Sequence, residues 1–301
     1  MYLSKVYRRK AYKSTAEAFI TLDFKGQLGN QTDMKIASWN INSINARMHA
    51  LKKWLEAAKP DVVCLQETKT VDDGFPRLEL EALGYNVAVY GQKSYNGVAI
   101  LSKKPFEEIR TGLPGDETDA QARYIEALIM GEERPFRVAS IYLPNGNPVY
   151  DTDNPDVFSE KYKYKLGWME RLRTHALNLK PLEEAVILAG DYNVIPGDKD
   201  THDPQSWQGD AAFRPETHAR YRALLNIGLV DGFEQLDGRA EQFTFWDYQG
   251  GAWPRNKGIR IDHLLLSAQA ADILRGVKID RDVREGIKPS DHVPIIGTFS
   301  L

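Results

Sequence analysis

Apolar residues along this chain fall in short runs that alternate with longer stretches at helical spacing, and turn-forming residues separate the two. Short apolar or alternating runs predict strands, and apolar positions three and four apart predict helix faces. Residues 35–40 read as the first strand. Residues 45–59 place Met48, Leu51, Leu55 and Ala58 on one face of a helix that Pro60 ends. Residues 61–66 form a short, fully apolar strand, and 76–83 a short helix closed by Gly84. Strands follow at 86–90 and 97–101, and then a pair at 123–130 and 136–143. A loop rich in Asn, Pro and Asp, 144–155, leads into a long helix at 159–179. Its apolar face includes Tyr162, Leu166, Met169, Leu172 and Ala176. After Pro181 come a strand at 185–189, a long loop at 194–213 and a helix at 215–226 ending at Gly228. Strands are predicted at 243–246, 261–267, 277–280 and 294–299. No low-complexity tract or interior linker interrupts the series. It predicts one α/β domain in which a few helices cover the outer faces of packed sheets. There is a faint internal echo. Val62-Val63-Cys64-Leu65-Gln66-Glu67 resembles Val186-Ile187-Leu188-Ala189-Gly190-Asp191, and residues 97–102 resemble 261–267.

Composition narrows the picture. The chain has 301 residues, 42% of them apolar and 27% charged, as in an ordinary soluble globular protein. A net charge of −3 argues against a generally basic nucleic-acid coat protein. It leaves room for a DNA enzyme with a local basic groove or bound cations. Residues 1–33 carry six basic and three acidic side chains, so the remainder carries −6. This basic leader reads as a nucleic-acid-binding arm, an organelle-targeting segment, or a disordered or mispredicted leader. The last is favoured, with a folded domain over 34–301, because a strand begins directly after Met34. The single cysteine, Cys64, lies inside an apolar run and reads as a core residue. It permits no internal disulfide and no cysteine zinc site, so a reducing compartment is expected. No apolar run approaches the roughly 18 residues of a membrane span.

Candidate chemistry gathers at strand ends. Asn40-Ile41-Asn42, Gln66-Glu67-Thr68-Lys69 and Gly190-Asp191-Tyr192-Asn193 each follow an apolar strand, and Ser290-Asp291-His292 precedes the last one. Four such ends can converge on one edge of a sheet core. Glu67, Asp191 and Asp291 brought close would repel unless a cation sat between them, and Asn40 or Asn42 can add a carbonyl oxygen. One His among acids suits Mg²⁺ or Mn²⁺ better than zinc. Asp262 can stand behind His292, fix its tautomer and stabilise its cation. The alternative pairs Asp262 with Arg260. Tyr142 can aim a phenol at a phosphate or a leaving oxygen, with Asn145 on the same rim. His263 reads as structural, and His49, His175, His202 and His218 as structural or solvated. Phe243-Thr244-Phe245-Trp246-Asp247-Tyr248 precedes a loop with Trp253, Arg255 and Lys257. Aromatics beside cations suit stacking and phosphate contact on nucleic acid. At least one of these rings is core, with Phe245 the one expected to be partly exposed.

The motifs Trp39-Asn40-Ile41-Asn42, Leu65-Gln66-Glu67-Thr68-Lys69, Asn96-Gly97-Val98-Ala99-Ile100, Tyr142-Leu143-Pro144-Asn145, Gly190-Asp191-Tyr192-Asn193, Thr244-Phe245-Trp246-Asp247-Tyr248, Arg260-Ile261-Asp262 and Ser290-Asp291-His292 occur together and in order. In this the chain resembles exodeoxyribonuclease III and its apurinic/apyrimidinic endonuclease relatives, from about Met34 to Phe299. The resemblance implies a four-layer α/β sandwich of the DNase I-like kind, two mixed β-sheets face to face with helices outside. It implies a Mg²⁺-dependent DNA-repair phosphodiesterase, with Mn²⁺ able to substitute. The implied action is incision 5′ to abasic sites in base excision repair, with 3′→5′ exonuclease and 3′-end-cleaning activity. By the same resemblance Glu67 is the main metal ligand with Asn40 and Asp291, and the set extends to Asp191, Asn193 and His292. Asp191 activates the water, held by Asn193; His292, oriented by Asp262, binds a phosphate oxygen; Tyr142 contacts phosphate or leaving group. The choice of Asp191 or His292 as base stays open. Lys69, Asn145, Phe245, Trp246, Ile259, Arg260 and Ile261 are implied DNA contacts.

Two departures stand out. Ile259 occupies a position that is tryptophan in some animal relatives, so Phe245, Ile259 and Ile261 are expected to shape the pocket for an extruded abasic sugar. A basic residue found soon after the tyrosine-proline motif in some relatives is missing from 146–151. The expected partner is duplex DNA with abasic sites or blocked 3′ ends, acted on by a cytoplasmic monomer that binds no membrane. The competing enzyme reading is a same-fold phosphoesterase acting on a phosphoinositide or sphingolipid. The competing non-enzyme reading is a DNA-binding module that has lost catalysis, and the intact acids and His292 oppose it.

Overall fold

Five buried residues in a row, as in Val62–Gln66, need cover on both faces. The computed structural model supplies it from a second sheet inside and a helix outside. It describes residues 33–132 and 134–301. The basic leader therefore lies outside the described residues, except Asp33, which already belongs to the first strand.

The strands are β1 Asp33–Asn40, β2 Val62–Gln66, β3 Asn86–Tyr90, β4 Val98–Ser102, β5 Phe106–Thr111, β6 Tyr124–Met130, β7 Pro135–Tyr142, β8 Ala185–Asp191, β9 Val230–Asp231, β10 Asp262–Leu266, β11 Leu274–Ile279 and β12 Ile295–Ser300. They form two six-stranded sheets, ordered β11-β12-β1-β2-β4-β3 and β5-β6-β7-β8-β10-β9. Each is mixed: β1–β2 and β7–β8 are parallel, and the other pairs are antiparallel. The inner faces meet through Ile36, Val62, Cys64 and Ile100 of one sheet and Ile125, Val138, Ile187 and Leu264 of the other. Burying each such side chain stabilises the fold by about 1.5–3 kcal/mol. The thiol of Cys64 is buried there and inert.

Helices close the outer faces. Helix α1 (Ile44–Ala58) ends on Lys59 in the left-handed conformation before Pro60. It packs Leu51, Trp54 and Leu55 on Trp39, Val63 and Leu65, joined by α2 (Arg77–Glu81) through Leu80. On the other side α3 (Glu160–Leu179) starts at Ser159, whose hydroxyl accepts the Tyr162 N–H at 3.1 Å. It buries Trp168, Met169 and Leu172 on Ile141 and Leu188 of the second sheet. This is the four-layer sandwich expected from the sequence. The internal echo is topological: β1-α1-β2-β4 and β7-α3-β8-β10 have the same pairing, one in each sheet.

Several expectations change. Strand β5 was not anticipated, because Phe106-Glu107-Glu108-Ile109-Arg110-Thr111 is an exposed edge strand whose charges discourage further pairing. Residues 243–246 make only isolated bridges, Phe245 to Ile259 and to His292, rather than a strand. The loop at 194–213 holds a short helix, α4 (Pro204–Trp207), and further short helices are α6 (Gly232–Leu236) and α7 (Ala268–Asp272), with α5 (Pro215–Asn226) between α4 and α6 as expected.

Candidate active site

The parallel pairs fix where the site lies. Strands β1, β2, β7 and β8 run toward one edge of the sandwich and deliver Asn40, Glu67, Tyr142 and Asp191 there. Antiparallel β10 starts at that edge, with Asp262 directly across from Asp191. The segment before antiparallel β12 returns Asp291 and His292 to it. The seat is rigid. The Trp39 indole donates to the His292 carbonyl at 3.1 Å, and the Ser290 hydroxyl donates to the Asn40 carbonyl at 2.7 Å. Gly190 lets β7 and β8 close up, since a Cβ there would lie 2.0 Å from the Ile141 carbonyl oxygen. Asn42, Glu67, Lys69 and Asn193 all have positive φ, from 47° to 55°. Such strain in side-chain-bearing residues gathers where function over-determines geometry.

Ligand atoms of Glu67, Asp191 and His292 lie within 4.8 Å of one another. The Asn40 amide bridges the two acids, donating to Glu67 Oε1 at 2.8 Å and Asp191 Oδ2 at 2.9 Å. Two carboxylates this close, with an imidazole beyond them, are an oxygen-rich set that fits a hard divalent cation. Lys69 also reaches Glu67, at 2.8 Å from Oε2. Burial raises the Glu67 pKa, but the charge of Lys69 and the bonds from Lys69 and Asn40 outweigh it and hold the group below the usual carboxylate range. Asp191 goes the other way. Burial and the charge of Asp262 push its carboxyl up, against the pull of His292. His292 Nδ1 sits 2.8 Å from Asp262 Oδ2, and Nε2 faces Asp191 Oδ2 at 3.7 Å. Burial alone would lower the imidazole, but Asp262 and then Asp191 raise it to about 10. Tyr142, half-buried, is pushed well above 10 by burial and by the charges of Glu67 and Asp191.

Other expected residues are placed differently. Asn40 presents its nitrogen to the cluster, because its Oδ1 accepts the Asn42 N–H at 3.1 Å, so it bridges acids rather than offering a ligand oxygen. Asn193 is buried beside Asp191, but its Oδ1 accepts from Asn145 at 3.3 Å and its amide donates to the Leu143 carbonyl. Its side chain ties loops together and offers no atom to the cluster, which it meets only through its backbone N–H on Asp191 Oδ1 at 2.9 Å. Asp291 stands outside the tight group, accepting from the Asn42 amide at 2.9 Å. The Lys69 ammonium is held by Glu67 and by Asn42 Oδ1 at 2.6 Å instead of reaching outward for DNA.

Arg260 is the clearest correction. It is fully buried and paired with Asp200, Asp231 and Glu234, so it has no face for DNA. Asp262 accordingly serves His292 and not Arg260. Trp246 is also fully buried, with Arg281 over its ring at 5.2 Å and Trp253 edge-on at 4.8 Å. Phe245 is the half-exposed ring, packed on a floor of Ile259 and Ile261, and it lies edge-on to His292 at 4.9 Å. Asn145 is exposed on the rim. His263 is structural, bonded to the Val194 carbonyl and Arg260. The sequence reading missed Arg123, which lies over the Tyr142 ring at 4.8 Å and has no motif around it. It also missed Lys165, buried beneath the loops of Asn145 and Asn193. A lysine in phase with the apolar face of α3 was the available signal.

Two face-to-face sheets with acids and an imidazole gathered at one edge define a metal-dependent phosphoester hydrolase. The chain belongs to the endonuclease/exonuclease/phosphatase family, whose model matches residues 37–292, and within it to the exodeoxyribonuclease III branch. It is 36% identical over 274 residues to the exodeoxyribonuclease III of Haemophilus influenzae, covering 88% of this chain and 100% of that one. Among solved structures it is similar to an AP endonuclease from Archaeoglobus fulgidus, with TM-score 0.81, 34% identity, and 89% and 100% of the two chains covered. It is also similar to a 3′ phosphatase from Neisseria bound to a product DNA hairpin, with TM-score 0.82, 34% identity, and 88% and 99% covered. Among the described residues, no helix is long and apolar enough to cross a membrane.

Proposed function

We propose that the protein is a DNA-repair phosphodiesterase that incises duplex DNA 5′ to abasic sites, with 3′→5′ exonuclease and 3′-end-cleaning activity at the same centre. The observation that carries this reading is the juxtaposition of Asp191 and the Asp262-backed His292 with the half-exposed Phe245 ring. Phosphate chemistry and an apolar floor thus share one site. An abasic nucleotide costs little to extrude, because no base leaves the stack. An apolar seat on Phe245, Ile259 and Ile261 favours a sugar without a base.

In this reading Glu67 and Asp191 hold a divalent cation, Mg²⁺ with Mn²⁺ able to replace it, and Asp291 lies nearby. When bound, the ion neutralises charge on the phosphate oxygens. Asp191, placed by the Asn40 amide beside Glu67 and facing His292, takes the proton of the attacking water. Asn193 fixes Asp191, its backbone N–H donating to Oδ1 at 2.9 Å. His292 stays cationic against Asp262, so it binds a phosphate oxygen and has no lone pair to ligate metal. Tyr142 keeps its proton and donates it as a hydrogen bond to the phosphate or the leaving oxygen. Asn145 meets the DNA from the rim. The folded body acts as one domain, a cytoplasmic monomer.

The test is a duplex with one stable abasic analogue, labelled at its 5′ end, incubated in Mg²⁺ and separately with excess chelator. Incision just 5′ to the lesion in Mg²⁺ alone, far faster than digestion of intact duplex, is the expected result. Shortening from the 3′ end without preference for the lesion would instead make exonuclease the main activity. No cleavage of either duplex in Mg²⁺ or Mn²⁺ would overturn the reading.

A further inference from the structure

Helix α3 turns an apolar face toward the second sheet, yet one position on that face is a lysine. Lys165 is fully buried. An amino group withdrawn from water needs acceptors for its protons. Among the described residues its hydrogen bonds run to two main-chain carbonyls, Asn145 at 3.1 Å and Asn193 at 2.6 Å. These belong to different segments. One leaves β7 just after Tyr142, and the other leaves β8 just after Asp191.

The surroundings are shaped around that contact. Asn193 has φ 47°, and its own N–H is on Asp191 Oδ1 at 2.9 Å. The side chains of Asn145 and Asn193 meet at 3.3 Å. Gly146, at φ 87°, lies flat across the lysine stem, where a Cβ would come 2.6 Å from Lys165 Cδ. Only glycine combines that conformation with that approach. An apolar side chain at 165 would fill the volume without ordering either carbonyl.

We propose that Lys165 is a positioning residue, a buried pair of donors that fastens both loops to α3 and so fixes Asn193 and the Asp191 carboxylate at the reacting edge. The catalytic half of this inference rests on the role given to Asp191 above; the clamp itself does not. It acts through main-chain atoms and touches no substrate.

Lys165→Met keeps the stem and removes the donors. With the abasic duplex and Mg²⁺ it is expected to lose about tenfold or more in kcat while KM stays within about twofold. Hydrogen exchange read by mass spectrometry tests the clamp without substrate. Amides at 143–147 and 192–195 are expected to exchange about tenfold faster or more, with those of 166–178 unchanged. Leu172→Ala, buried on the same helix, is the structural control. It is expected to lower the melting temperature and leave kcat intact well below that temperature. Gly146→Ala disturbs the stem from the loop side, and its kcat loss should not add to that of Lys165→Met in the double variant.

A folded Lys165→Met protein with unchanged exchange at both loops overturns the clamp. Faster exchange with wild-type kcat overturns its role in positioning. If Lys165→Met does not fold, Gly146→Ala decides: lower kcat with faster exchange at 192–195 supports the proposal, and wild-type values of either overturn it. Wild-type protein that leaves the abasic duplex intact sinks the functional reading, and the exchange measurements still decide the clamp.

Discussion

Replacing Arg260 by methionine separates the two roles that this residue can have. The sequence motif assigns it to DNA; the structure buries it. Its guanidinium lies 2.7 Å from Asp200, 2.7 Å from Asp231 and 3.0 Å from Glu234. Side-chain exposure decides which of these contacts matter. Asp200 and Asp231 are each 4% exposed, whereas Glu234 is 34% exposed and its pair is largely screened. Methionine fills much of the volume but leaves two buried carboxylates without a counter-charge, a loss of about 3–5 kcal/mol. For a domain of this size that lowers the melting temperature by roughly 10 °C. The pH dependence gives a second signature. Burial raises the Asp231 carboxyl, but Arg260 outweighs it and holds the group below its ordinary 3.8. A depressed carboxyl contributes stability above that ordinary value and loses it as the pH falls through the depressed one. The gap between wild type and variant should therefore be full at neutral pH and close below about pH 4. The assay is thermal and urea unfolding across pH, with duplex binding measured in parallel at a temperature where both proteins are folded. A variant that melts like wild type but binds DNA about tenfold more weakly or worse would refute the burial argument and restore the DNA contact.

Asp191→Asn is expected to lower kcat on the abasic duplex by about 10²–10⁴-fold with the protein still folded; wild-type turnover would remove its role as base. Phe245→Ala is expected to narrow the preference for abasic over intact duplex more than Asp191→Asn does, read as the ratio of kcat/KM for the two substrates. Asp262→Asn removes the largest contribution that raises His292, so the imidazole should lose its proton at much lower pH. With the cation as the proposed active form, the alkaline limb of the pH–rate profile should move down, and an unmoved limb would detach His292 from catalysis.

What was legible in the sequence and what was not have physical causes. An acid just past an apolar strand is a local pattern, so Glu67 and Asp191 stood out, as did Asp291-His292 before the last strand. The strand-end rule also gave their meeting place, because parallel neighbours share an edge. Arg260 was misread because its counter-charges come from distant segments, Asp200 from the long loop and Asp231 from a two-residue strand too short to show any period. The aromatic stretch around Phe245 alternates like a strand, yet its backbone bridges Ile259 and His292 in turn, a geometry set by tertiary contacts. Lys165 was visible as an anomaly, but its partners are carbonyls, which no sequence distinguishes.

The internal echo explains why the site lies where the two sheets meet. Each repeat of strand, helix, parallel strand and antiparallel strand supplies one acid at the end of its second strand, Glu67 in one sheet and Asp191 in the other. Neither repeat alone brings Glu67 and Asp191 together, so the cluster exists only at the separation that the sandwich imposes. A buried polar chain just beneath bridges that separation. The Gln66 amide donates to Ser140 at 2.9 Å and to Ser38 at 3.2 Å, and the Ser140 hydroxyl donates across to the Leu65 carbonyl at 2.9 Å. Apolar side chains at these three positions would pack without fixing register or spacing. Hydrogen bonds between the sheets fix both, one residue below Glu67 and two below Asn40 and Tyr142.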